Sequence, residues 1–184
     1  MLQCMHVKYI DMQTEILRQF RAARLGFPAG TPIAVLHIGE QETVIVTGAG
    51  SEPDSVLTLA IGSHKTAAEF FMHAPPSPGE IENAIIQVED EITRAREMIA
   101  GYSTLVTSDP YIREIVHIAS GHAGSAMQLT IDAVEQVFAL LASHSLGRPA
   151  SSAGISADPA FAATLLILRE FMHHLRFLAI YVTA

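Results

Sequence analysis

Apolar and polar positions divide the chain into a β-rich first third and a helical remainder. Residues 11 to 25 carry Ile16, Leu17, Phe20 and Leu25 at helical spacing, and the Gly26 to Pro32 segment ends that helix. Three short runs rich in β-branched residues follow: Ile33 to Ile38, Thr43 to Thr47 and Ser55 to Ile61. Gly39-Glu-Gln-Glu joins the first two at hairpin length and Gly48 to Asp54 joins the second two, which predicts three consecutive antiparallel strands. Beyond them, Ser63 caps a short helix to Phe71. The proline-rich Ala74 to Glu80 segment is a boundary, and Ser77, Pro78 and Glu80 form a capping box for a long helix to about Ala100. Ser103 to Thr107 reads as a strand, Asp109-Pro110 opens a helix to about Ser120, and Thr130 caps one to about Ser145. Asp158-Pro159 opens the last helix, to about His174, and Phe177 to Val182 is aromatic and β-branched enough for a final strand.

A strand that follows a helical crossover normally joins its sheet in parallel. The order therefore predicts a mixed five-stranded sheet with helices packed on it: a single α/β domain of ribonuclease-H-like fold, the half-domain of actin-like ATPases. Residues 1–30 form an N-terminal helix or extension and 31–184 the core.

Composition narrows the functional classes. With 49% apolar and 16% charged residues the chain is too apolar for intrinsic disorder. Its 19 acidic and 11 basic side chains give a net charge of −8, and Lys8 and Lys65 are the only lysines. No basic stripe exists to engage nucleic-acid phosphates or an anionic membrane. Arg169, Glu170, His173, His174 and Arg176 interrupt the apolar segment from Pro159 to Ala184, so it is not a membrane span. Cys4 is the sole cysteine, and the opening residues lack a basic region followed by an apolar stretch. A cytoplasmic protein without a signal peptide is expected. Helices this apolar must pack on something, and a homodimer is expected.

Several segments resemble the exopolyphosphatase / guanosine-pentaphosphate phosphohydrolase (Ppx/GppA) family, in its second actin-like subdomain. The stretch His37-Ile-Gly-Glu-Gln-Glu-Thr-Val-Ile is similar to the family hairpin D-I-G-G-G-S-T-E-L. Leu59 to Phe70 keeps the glycine (Gly62), the basic residue (Lys65) and the aromatic (Phe70) of a downstream L-P-L-G-A-V-R-L-T-E-x-F run. Ala23-Arg-Leu resembles the end of its E-E-A-R-L segment. Leu129-Thr, Val134-Glu, Arg148 and Ala153-Gly-Ile follow in matching order. The resemblance spans about residues 15 to 183, and 184 residues leave no room for the family's first subdomain.

The resemblance implies a phosphate loop at His37, Gly39, Glu40, Gln41, Glu42 and Thr43, with a second loop at Gly62, Lys65 and Ser108. The departures argue against the family's chemistry. Glu40 and Gln41 replace two glycines whose N–H groups cradle phosphate in the family, and carboxylates at Glu40 and Glu42 repel an anion. His37 replaces a magnesium-side aspartate, the catalytic glutamate falls on Ala22, and the G-G-T loop has become Thr107-Ser-Asp. The expectation is a non-catalytic binding or regulatory protein that takes a small anionic ligand and needs no cofactor. The alternative is a magnesium-dependent phosphoanhydride hydrolase, with Glu42 as base and Thr43 touching phosphate.

A second alternative comes from spacing alone. Glu114-Ile-Val-His117 and Glu170-Phe-Met-His173 are Glu-x-x-His pairs, and Glu82 and Glu135 precede them on other helices. That is the ligand set of a di-metal carboxylate bundle. Such pairs arise by chance in a chain with nine histidines, and three strands do not belong in a bundle. His173 and His174 with Glu170 also form a candidate metal set, against the simpler reading of histidines at a helix C-terminus. Glu89-Asp-Glu91, with Arg94 and Arg96 nearby, reads as a solvated face, and Ser151-Ser152 lies in no nucleophile elbow.

Overall fold

A computed structural model describes residues 14–96, 99, 103–120, 128–147 and 155–183. Cys4, Lys8, His122, Arg148 and the Ser151-Ser152 pair lie outside these residues, as does the expected end of the long helix at Ala100. After a first helix (α1, residues 14–24) come strands β1 (Ile33–Ile38), β2 (Thr43–Gly48) and β3 (Ser55–Leu59). Then follow α2 (Ser63–Phe70), α3 (Pro78–Thr93), β4 (Thr104–Thr107), α4 (Pro110–Ala119), β5 (Gln128–Thr130), α5 (Ile131–Ser145), α6 (Pro159–His174) and β6 (Ala179–Val182).

The strands form one sheet in the order β3-β2-β1-β4-β6-β5. β1, β4 and β6 run parallel, β2 and β3 are antiparallel on one flank, and β5 is antiparallel to β6 on the other. The sheet thus has six strands, one more than expected. The extra strand, β5, is three residues long and leads straight into α5. A strand so short has no alternation to betray it.

Each strand alternates its side chains between two cores. Ala34, Leu36, Ile45 and Leu105 face the helical layer of α2 to α6. Ile33, Val35, Val44, Val46 and Val106 face α1, through Ile16, Phe20 and Ala23. The helix α6 is buried on nearly every side, which explains its unbroken apolar run. It ends in paired turns, Phe177 N–H to the Met172 carbonyl and Arg176 N–H to the His173 carbonyl, with Arg176 left-handed at φ 61°. That reversal sends the chain back into the sheet as β6.

The capping box forms as the sequence indicates: Ser77 Oγ accepts from Glu80 N–H while the Glu80 carboxylate accepts from Ser77 N–H. The carboxylate also accepts from Met72 N–H and pairs with His73, and these bonds, led by that from Ser77, hold the Glu80 carboxyl down at about 2. Ser77→Ala is expected to cost about 1 kcal/mol, read from urea denaturation. No helix among the described residues is long and apolar enough to cross a membrane.

Candidate functional site

The parallel pairing of β1 with β4 places the β1–β2 turn beside the start of α4. At the turn, Gly39 N–H donates to the Glu42 carbonyl at 3.0 Å. A Cβ at Gly39 would lie 2.9 Å from that oxygen and 3.5 Å from His37 Nε2, so close packing alone accounts for the glycine. The first turn of α2 docks on the same hairpin. Ser63 N–H donates to the Gly39 carbonyl, and His64 and Lys65 N–H both donate to the Glu40 carbonyl, at 2.9 to 3.0 Å. Gly62 makes this approach possible, because a Cβ there would run into the Gln41–Glu42 peptide.

These contacts bring Gly62 and Lys65 onto the hairpin and use the first amides of α2 together with the Gly39 and Glu40 carbonyls. The Lys65 ammonium donates to the Ala60 carbonyl. Thr43 is fully buried and its hydroxyl donates to the Ile61 carbonyl at 2.8 Å. The phosphate contact expected of Thr43 is therefore not available, since the side chain points into the fold. Glu40 and Gln41 are exposed and Glu42 is half-buried.

The sequence reading missed Asp109 as a partner in this site. As the residue before Pro110 it reads as a helix cap, yet its side chain makes no cap bond. Instead, buried at 4% exposure, Asp109 reaches across to β1. Its Oδ1 accepts from His37 Nδ1 at 2.5 Å and its Oδ2 from Ile38 N–H at 2.7 Å. The hydrogen bond to Asp109 raises the His37 pKa above its ordinary 6.5, with burial opposing and the charge of Glu15 on α1 assisting. An aspartate two residues after a strand, with a histidine in the neighbouring strand, was the available signal, but only strand order shows that they meet. A cleft of about 260 Å³ is lined by Glu15, whose charge acts on His37, and by Arg18, Gln19, Ala22, Ser108 and Thr183. It adjoins an apolar groove of about 500 Å³ between α1 and β6, where Phe27 meets Tyr181 edge-on.

A magnesium ion is the metal that the resemblance implies here. Magnesium needs free oxygen ligands in octahedral array. Both Asp109 oxygens are already accepting hydrogen bonds, His37 presents nitrogen, and Thr43 is turned away. Asp109, His37 and Thr43 do not fit that ion.

The di-metal alternative is overturned by the sheet. Glu82 and His117 are exposed on α3 and α4, Glu114 is half-buried, and Glu135 pairs with Arg169 at 2.9 Å. Burial raises the Glu114 carboxyl, with the charge of Asp158 adding to it. Within Glu170-Phe-Met-His173, His173 is exposed, while His174 turns toward Glu170 at 3.3 Å. A glutamate and a histidine in contact on α6 are thus four apart, not three. Burial pushes the Glu170 carboxyl up, countered by Arg169 and His174. Nor is Glu89-Asp-Glu91 a fully solvated face: Glu91 is buried, accepts from Ala60 N–H at 3.0 Å and pairs with Arg94.

No protein-family model matches this chain, and no curated protein sequence matches it. Solved structures do. A Ppx/GppA enzyme from Aquifex aeolicus aligns with a TM-score of 0.73 at 16% identity, covering 89% of this chain and 57% of that one. An exopolyphosphatase-like protein aligns at 0.67 and 12% identity, covering 84% and 55%. An exopolyphosphatase from Cytophaga hutchinsonii aligns at 0.57 and 13%, covering 90% and 57%. The chain spans little more than half the length of these structures, and at such identities the likeness speaks to fold. By its strand order and these alignments, the chain has the actin-like α/β fold of the Ppx/GppA proteins.

Proposed function

We propose that this chain is a binding or regulatory module on an exopolyphosphatase scaffold, without phosphoanhydride hydrolysis, and that it self-associates. The observation that carries this reading is the docking of the first amides of α2 on the hairpin carbonyls. A phosphate cradle needs N–H groups pointing outward. Here the first amides of α2 donate to the hairpin carbonyls, and Gly62 closes over the Gln41–Glu42 peptide. Ala22, where the resemblance puts a catalytic glutamate, lines the cleft with a methyl group. The ligand class proposed for the cleft is a small anion, which would take Arg18 in exchange for its pairing with Glu15. Self-association draws support from the face of the sheet that α1 covers. Tyr181 is half-exposed there beside the apolar groove, and Leu25 stands at 89% exposure. The single cysteine suits a reducing cytoplasm.

A specific observation favours a second reading, hydrolysis. His37 is oriented through Nδ1 by a buried carboxylate, which leaves Nε2 to carry a proton. One experiment separates the two: phosphate release from long-chain polyphosphate with magnesium, on protein whose solution mass is measured in parallel. The expected outcome is no release above buffer and a mass of two chains, reduced to one by Tyr181→Glu. Turnover abolished by His37→Gln or Glu42→Gln overturns the non-catalytic reading.

A further inference from the structure

At the opposite end of the sheet from the hairpin, α3 and α6 bring together Glu89, Glu170 and His174. His174 Nε2 lies 3.1 Å from Glu89 Oε1 and 3.3 Å from Glu170 Oε2, and the three ligand atoms all fall within 4.8 Å of one another. We propose that these three side chains bind a first-row divalent metal ion, zinc by preference, tying the end of α3 to the end of α6. The reading does not depend on the function proposed above, since it uses no residue of the cleft.

Three features of the cluster favour this over a plain ion-pair network. The first is spacing. A tetrahedral ion with bonds of about 2.0–2.1 Å holds its ligand atoms roughly 3.3 Å apart, close to the two separations from His174 Nε2 here. The donors are two carboxylate oxygens and one imidazole nitrogen, without sulfur, a set that suits zinc and its neighbours and leaves one position for water.

The second is support around the ligands. Glu170 is 2% exposed, and its other oxygen, Oε1, accepts from Arg169 Nη1. Arg169 is held in turn by Glu135 Oε2 at 2.9 Å and by the Phe138 ring, 4.6 Å from its guanidinium carbon. Glu170 Oε2 is thereby directed at His174, which is how metal-ligating carboxylates are commonly oriented.

The third is charge. Glu89, Glu135 and Glu170 are three carboxylates. Against them stand the guanidinium of Arg169 and that of Arg96, whose Nη2 donates to the His174 carbonyl at 3.1 Å. With the imidazole neutral, as a metal ligand must be, one negative charge is left over beside a buried carboxylate, and a divalent cation offsets it in place of the imidazolium proton.

The test is a zinc titration of the metal-free full chain in competition with a chromophoric chelator, followed by thermal melting with and without zinc. One zinc per chain with a Kd of about 10 µM or tighter is expected. A rise in Tm of about 5–10 °C is expected at a hundredfold excess over Kd. Glu89→Gln and His174→Gln, both partly exposed and so compatible with folding, should each weaken binding by about 100-fold or more. His173→Gln and His117→Gln, at exposed histidines outside the cluster, should bind as the parent does. Zinc that does not bind in this range, or that binds Glu89→Gln and His174→Gln as well as the parent, overturns the proposal. So does a loss of equal size in His173→Gln, which would mark adventitious capture by surface imidazoles.

Discussion

Asp109→Ala is expected to lower stability by about 3 kcal/mol at neutral pH, one of the two largest single-residue effects. Two partners are lost together. Ile38 N–H, at the end of a buried strand, has its bond to Oδ2 removed, and His37 loses the carboxylate that holds Nδ1. A domain of this length should then melt about 6–12 °C lower. Asp109→Asn keeps an acceptor for Ile38 and removes only the charge, so its cost should be smaller.

The same pair sets a pH dependence whose sign follows from the raised His37 pKa. A group that binds its proton more tightly folded than unfolded stabilises the fold below its unfolded value, here near 6.5. That contribution fades as pH rises through the higher folded value. The charged groups acting on His37 are Asp109 beside it and Glu15 on α1, and both favour the imidazolium. The parent should therefore lose stability on going from about pH 6 to pH 9 more steeply than Asp109→Asn does. The His37 ring, followed by NMR, should titrate above 6.5 in the parent and fall back toward that value in the variant. An unchanged midpoint in Asp109→Asn would show that the pair does not form in solution.

Gly62→Ala is the second large effect, expected at about 3 kcal/mol. The added Cβ would stand 2.5 Å from Gln41 C, 2.6 Å from Glu42 N and 2.7 Å from Gln41 N. These are backbone atoms, which cannot rotate aside as a side chain would. To relieve the clash, α2 must lift off the hairpin, giving up the three N–H bonds from Ser63, His64 and Lys65. Gly79→Ala serves as the control. It lies in the first turn of α3 with no atom within 4 Å of its would-be Cβ, so it should be neutral or stabilising by up to about 1 kcal/mol. Urea denaturation of both variants checks the pair. Equal stability in the two would mean that the hairpin and α2 do not pack as described.

Much of the fold was legible because periodicity and capping are local. Ser77-Pro78 with Glu80 marks the start of α3 wherever that helix lies in space, and the alternating run Thr43 to Thr47 marks β2. The expected α3 extends past the observed end at Thr93, because Arg94 to Arg96 turn on shorter bonds that composition does not reveal. The site was legible only in part. The hairpin and the Gly62 segment stood out through the resemblance. That the first amides of α2 are spent on the hairpin carbonyls did not, since an amide's partner is a matter of approach and not of residue type.

Read alone, the chain determined the order of its longer elements and the mixed sheet, and the resemblance set Glu40, Gln41, His37 and Ala22 against the family's two glycines, aspartate and glutamate. Such properties depend on each residue and its near neighbours. Tertiary structure decided that Asp109 serves His37 and not its own helix, that Thr43 faces inward, and that His174 rather than His173 meets Glu170. Each of those outcomes depends on which elements lie side by side and on the angle at which a helix presents its face. Separations of 72 residues between His37 and Asp109, or 85 between Glu89 and His174, are bridged only when the sheet and the helical layer close.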